Sequence, residues 1–211
     1  MRIAVAAPHE ITTFVEASAL GRLEKYVLLL NKWRKITNLI SDESFEHIWN
    51  RHILDAIHLQ RQRPQARAWL DIGSGAGLPG VIIASLLADV EGACIICVEI
   101  DRRKCAFLRE VASQLKLPLK VQNILAEQIA SLPDFDIDVV TARAFSSLER
   151  IVKLAEPQLR KGAIALLPRG RSAHDEVARI DRALYRCTVT PNPTPGDGVF
   201  VQIELRESRI L

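Results

Sequence analysis

Long apolar runs are missing from this 211-residue chain. Nothing in it approaches the ~20 residues that a membrane-spanning helix needs. Cysteine is sparse: Cys94, Cys97 and Cys105 lie close together and Cys187 far off, which is not the framework of a disulfide-stapled domain. Aromatics make up 5% of the residues, and none interleaves with the basic clusters at 160–162 and 169–171, which gives no stacking platform for single strands. Excess charge of one sign is absent too, with 28 Lys and Arg against 25 Asp and Glu, so net charge names no partner. The N-terminus has a short apolar stretch, but His9 and Glu10 stand where an export signal would continue. The expectation is a soluble, cytoplasmic, monomeric protein with no membrane or metal partner.

What is present divides into two textures, an N-terminal helical extension over 1–66 and an alternating core over 67–211, together one compact domain. In "TFVEASALGRLEKYVLLLNKW", Phe14, Val15, Leu20, Leu23, Tyr26, Val27, Leu30 and Trp33 recur near a period of 3.6 and predict a long amphipathic helix. Ser41 or Asp42 caps a second one, "FEHIWNRHILDAIHL". Beyond residue 67, the short apolar runs "AWLDI", "CIICVEI", "LKVQN", "DIDVVTARA" and "GAIALLPRG" alternate with helix-like stretches. That alternation predicts an α/β fold with a doubly wound, mostly parallel sheet. "TPGDGVFVQIELRESRI" predicts one or two edge strands at the end. The pair Cys94 and Cys97 falls within a strand, on opposite faces, and reads as core rather than as half a metal site.

The densest signal is the loop that follows "AWLDI", where Gly73, Gly75, Gly77 and Gly80 join a strand to a helix. Bare backbone there turns tightly and approaches a ligand at a helix N-terminus. Two spacings overlap. Gly75-x-Gly77-x-x-Gly80 fits a dinucleotide fingerprint, and Asp71-x-Gly73-x-Gly75-x-Gly77 fits the S-adenosylmethionine loop of Rossmann-like class I methyltransferases. A pyrophosphate would be repelled by Asp71, whereas the sulfonium and ammonium of the methyl donor would gain from it. Glu99, ending the second strand, suits ribose hydroxyls of either cofactor. The expected donor site is Asp71, Gly73, Ser74, Gly75, Gly77 and Glu99.

The end of the fourth strand, "VVTARAF", carries neither the Asn/Asp-Pro-Pro suited to exocyclic amines nor the cysteine nucleophile suited to pyrimidine carbon 5. What remains are acceptors that lose no proton, such as guanine N7. Arg143 lies at this strand end and is open to two readings, positioning of donor or substrate and an ordinary salt bridge. Between Arg143 and Arg186, ten basic residues face five acidic ones, so Lys161, Arg169 and Arg171 are candidate phosphate contacts. Two rival functions stand beside the methyltransferase: an NAD-dependent oxidoreductase, and an inactive RNA-binding or donor-sensing protein.

"KYVLLLNKWRKITNLIS", "RHILDAIHL", "LDIGSGAGLPG", "EIDRRKCAFLRE", "NILAEQI" and "TARAFSSLERIV", in that order over about residues 20–170, resemble the glucose-inhibited division protein B family, the small-subunit ribosomal RNA methyltransferases G. The resemblance implies methyl transfer from S-adenosylmethionine to N7 of guanine 527, in the 530 loop of 16S ribosomal RNA, with the RNA or the small subunit as partner. It also implies donor contacts at Gly73, Leu78, Ala126, Glu127 and Arg143, of which Arg143 would serve catalysis by positioning. His52 and Asp55 match the family's "RHxxD" and, three apart on one helix face, read either as a lid contact or as a stabilising pair. Pro168, Arg169 and Gly170 replace the family's Lys-Gly, and Arg is not an equivalent donor to Lys.

Overall fold

A computed structural model describes residues 7–13, 15–132 and 135–206; Phe14 of the predicted helix and the tail beyond Arg206 lie outside them. A short helix, α1 (His9–Thr12), precedes the long α2 (Ala17–Trp33), which buries Leu23, Tyr26, Val27 and Leu30 along one stripe. Helix α3 (Asp42–Glu46) is capped by Ser41, whose hydroxyl accepts the Ser44 N–H. The predicted second helix is then interrupted: residues Ile48–Ile53 form a π-helical turn, and the α-helical path resumes as α4 (Leu54–Arg61).

The core begins with β1 (Ala68–Ile72), α5 (Gly80–Leu86), β2 (Cys94–Val98), α6 (Arg102–Leu115) and β3 (Leu119–Gln122). A short 3-10 helix (Ala126–Ser131), β4 (Val139–Thr141), α7 (Leu148–Leu159) and β5 (Ile164–Arg169) follow. Helix α8 (Ala173–Ala178), β6 (Tyr185–Pro191) and β7 (Val199–Leu205) complete the described chain. The seven strands pair in the order β3-β2-β1-β4-β5-β7-β6, parallel except for β7, which runs antiparallel to both of its neighbours. The C-terminal reading is thus corrected in part. The run after Gly198 forms β7, an interior strand, and the edge is β6, built from a segment not read as a strand.

Alternation along the strands divides the core. Trp69, Ile95, Cys97, Val139 and Leu166 face a layer made by α2 to α6, and Leu70, Ile72, Ile96, Val140 and Leu167 face the layer of α7 and α8. Cys97 and Cys94 fall on opposite sides, as the strand period requires, and all four cysteines are free. Helix α2 shares its core with α5 and α6, so the N-terminal helices close one face of the sheet. The loops after all five parallel strands gather at the carboxyl edge, where open α/β sheets bind ligands. The β6–β7 turn joins them, because Pro191 and Arg169 both pair with Val199.

Candidate active site

A cavity of about 540 Å³ opens at that edge. Its floor is the glycine loop, with Gly73, Ser74, Gly75 and Leu78 on the wall. The loop is tied down from below. The Gly73 and Ser74 N–H groups donate to the Val98 carbonyl, and the Ser74 hydroxyl, itself buried, donates to the Asp71 carbonyl. The Tyr26 hydroxyl, arriving from α2, donates to the Ala76 carbonyl at 2.9 Å. Gly75 adopts a φ of +55°, and a Cβ built there would meet nothing nearer than 3.9 Å, so the space above it is open. At Gly80 the demand is for close approach: a Cβ would stand 2.7 Å from both Asp71 Oδ2 and Cys97 Sγ.

Glu99 is 7% exposed, and its carboxylate reaches across the cavity wall. Oε2 accepts the Gly75 N–H at 2.8 Å and Oε1 accepts the Asp101 N–H at 2.9 Å, which leaves lone pairs on both oxygens for a further donor. Ile100 and Leu125 stay largely exposed on the adjoining walls, next to Ala126 and Glu127. Ala126 is buried at the start of the 3-10 helix, and Glu127 is exposed and paired with Arg150 at 2.6 Å. An apolar slot thus lies beside a carboxylate.

Two of the expected donor contacts lie under the cavity rather than on its wall. Asp71 is fully buried, facing α5, where Oδ2 accepts the Gly80 N–H at 3.1 Å. Burial pushes its carboxyl up to about 7. Through that bond the side chain secures the first turn of α5. Gly77 is also beneath, with Val81 and Leu108 filling the space where a side chain would be.

Arg143 projects from the end of β4 and lines both this cavity and a second one, of about 520 Å³, on its far side. It donates to the Arg51 carbonyl at 2.8 Å and pairs with Asp55 at 3.4 Å, and Asp55 in turn accepts from Asn192 at 2.8 Å. His52 and Asp55 therefore do not pair with each other. The π-helical turn sends His52 to the first cavity and leaves Asp55 on the second. Neither ring nitrogen of His52 has a hydrogen-bond partner, and burial together with Arg143 and Arg51 pushes its pKa down to about 3.

The three candidate phosphate contacts do not form one surface. Lys161 precedes β5 at the amino edge of the sheet, whereas Arg169 and Arg171 follow at the carboxyl edge, roughly 20 Å away for a six-residue strand. Arg169 is pinned, donating to the Ser146 carbonyl and lying 3.7 Å from Glu176, with its side chain 9% exposed. At the carboxyl edge it is Arg171 that reaches solvent, its side chain 87% exposed beside Asp197. Sequence reading passed over Phe145, Lys104 and the apolar pair Ile100 and Leu125, all of which line the first cavity. The apolar pair had a signal, since each directly adjoins a residue already singled out, Glu99 or Ala126.

The GidB family, described as rRNA small subunit methyltransferase G, matches residues 19–196. This chain belongs to that family. Ribosomal RNA small subunit methyltransferase G of Nitrobacter hamburgensis is 39% identical over 193 residues, 90% of this chain and 73% of the relative. The Jannaschia sp. protein of the same name is 36% identical over 199 residues, covering 93% of each chain. Among solved structures, a mutant of MtNAS in complex with S-adenosylmethionine superposes with a TM-score of 0.58 at 16% identity, over 87% of this chain and 74% of the other. A precorrin-6y methyltransferase of Geobacter metallireducens gives 0.54 at 16%, over 81% and 91%. At these identities the structures establish the fold, that of class I methyltransferases. Family membership sets aside the oxidoreductase, and the GidB fold carries a site whose residues fit S-adenosylmethionine: open space over Gly75, spare acceptors on Glu99, and the slot between Ile100 and Leu125. No membrane-spanning helix occurs among the described residues.

Proposed function

We propose that this GidB-family enzyme uses S-adenosylmethionine to methylate N7 of a guanine in 16S ribosomal RNA, at guanine 527 of the 530 loop, in the cytoplasm. The observation that carries the N7 assignment is that no unengaged base stands among the described residues where the two cavities meet. Arg143 is a cation, Ala144 has nothing to titrate, His52 is buried with its pKa pushed down to about 3, and the Asp55 carboxylate beside them is engaged by Arg143 and by the Asn192 amide. The acceptor atom therefore has to attack with a lone pair it already owns, and guanine N7 does so without losing a proton.

When bound, S-adenosylmethionine supplies an electrophilic methyl group on a sulfonium. Glu99 would hold the ribose hydroxyls, Ile100 and Leu125 the adenine, and the loop from Gly73 to Leu78 the amino-acid end; Ala126 and Glu127 border the adenine slot. Arg143, fixed by Asp55 and the Arg51 carbonyl, is a positioning cation at the junction. Arg171 is the candidate for an RNA phosphate, and Lys161 drops out of that role by its position. Transfer of radiolabelled methyl from S-adenosylmethionine to small subunits and to deproteinised 16S RNA from a strain lacking the modification tests the reading. Label at guanine N7 supports it. Label on an exocyclic amine or on a pyrimidine refutes the N7 assignment.

A further inference from the structure

We infer that the second cavity, on the far side of Arg143 from the glycine loop, is the pocket that receives the acceptor base, a guanine extruded from the stack of its RNA. The inference rests on the ribosomal RNA reading above. Three elements build this cavity: the π-helical turn with α4, the end of β5, and the β6–β7 turn. At about 520 Å³ it is the size of a nucleoside site and too small for a helical segment of RNA. It meets the donor cavity at the Arg143–Ala144 turn, which lines both. Ala144 holds a φ of +49°, a left-handed conformation that a non-glycine residue keeps only where the surroundings enforce it. A strained partition between two cavities is where two reactants would touch.

The chemistry of the walls selects the ligand. An anion site presents donors alone, whereas here guanidinium donors share the walls with the Asp55, Glu176 and Asp197 carboxylates and with Thr194. Thr194 is 8% exposed, and its Oγ1 has no hydrogen-bond partner. Its backbone is fixed, because its N–H donates to Asn192 Oδ1 at 3.1 Å while the Asn192 amide donates to Asp55. A buried hydroxyl without a partner, on the wall of a polar cavity, is an unmet hydrogen bond that a ligand can complete. Guanine combines acceptors at O6 and N7 with a donor at N2, so it uses both kinds of wall group. A base can enter a cleft of this size only by leaving its stack.

Two variants and a cross-link test this. Thr194→Val removes the hydroxyl at nearly constant volume. Gly170→Trp fills the cavity from a position where a Cβ would meet nothing within 4 Å, so the fold has room for it. Donor affinity by calorimetry is expected to match the parent in both. Single-turnover methyl transfer to 16S RNA is expected to fall about tenfold for Thr194→Val, the loss of one buried hydrogen bond, and to vanish for Gly170→Trp. In the parent protein, 16S RNA transcribed with 6-thioguanosine should photo-cross-link to residues within 192–198 or 168–172. Parental transfer rates in both variants, or a cross-link confined to other peptides, would overturn the pocket while leaving the methyltransferase reading intact. A parent that binds donor but labels no guanine would overturn that reading, and the pocket with it.

Discussion

Glu99 does two jobs with one carboxylate, since it orders the Gly75 and Asp101 backbones and keeps lone pairs free toward the cavity. Glu99→Ala is expected to weaken S-adenosylmethionine binding by about 1 to 3 kcal/mol, the penalty for unpaired polar groups, and calorimetry reads it directly. His52 carries a second prediction. Its folded pKa, near 3, lies below the usual histidine value of 6.5, so over that window the unfolded chain takes up a proton that the folded one refuses. Stability conferred by neutral His52 is therefore present above pH 6.5 and lost as the pH falls. Urea midpoints should drop less between pH 7 and pH 5 in His52→Gln than in the parent; equal drops would show that another group governs acid sensitivity. At this scale the sequence brought Glu99 and Arg143 to the cavity wall, because each closely follows a strand. It did not show that Asp71 lies off the cavity wall, because a carboxylate at a strand end points toward whichever face the strand period dictates, and here that face is covered by α5.

Helix α2 reaches the catalytic edge through one hydroxyl. Tyr26 is fully buried, and its bond to the Ala76 carbonyl fixes the crest of the glycine loop. Tyr26→Phe is expected to cost about 1 kcal/mol of stability and to weaken donor binding in proportion to the freedom the loop regains. Thermal unfolding with and without S-adenosylmethionine separates the two effects. The hydrophobic period revealed α2 and the parallel strands, because those segments face a core along their whole length. It could not reveal the π-helical turn at Ile48–Ile53, whose extra residue per turn leaves Ile48, Trp49 and Ile53 buried as an α-helix would. Strand β6 alternates Tyr185, Cys187 and Val189 with Arg186, Thr188 and Thr190, yet it is only half covered and ends in Pro191, so its signal is that of an edge.

Across the whole molecule, charge follows the sheet's polarity rather than the sequence. The basic excess between Arg143 and Arg186 is divided between the two edges, and at the carboxyl edge only part of it is free to meet a polyanion. Arg171→Ala should lower the slope of log affinity against log salt for 16S RNA by roughly one counterion, leaving donor affinity unchanged. Arg169→Ala should instead lower stability, since it empties a buried pair with Glu176. An unchanged salt slope for Arg171→Ala would return that side chain to its partner Asp197. The guanidinium of Arg143 belongs to both cavities and is held from outside by Asp55, which Asn192 holds in turn. Any coupling between the ligands of the two cavities would run through that contact, and thermodynamic reciprocity would then apply. Any factor by which bound donor tightens the grip on RNA is the factor by which bound RNA tightens the grip on donor, so the two affinities are tied through a single side chain.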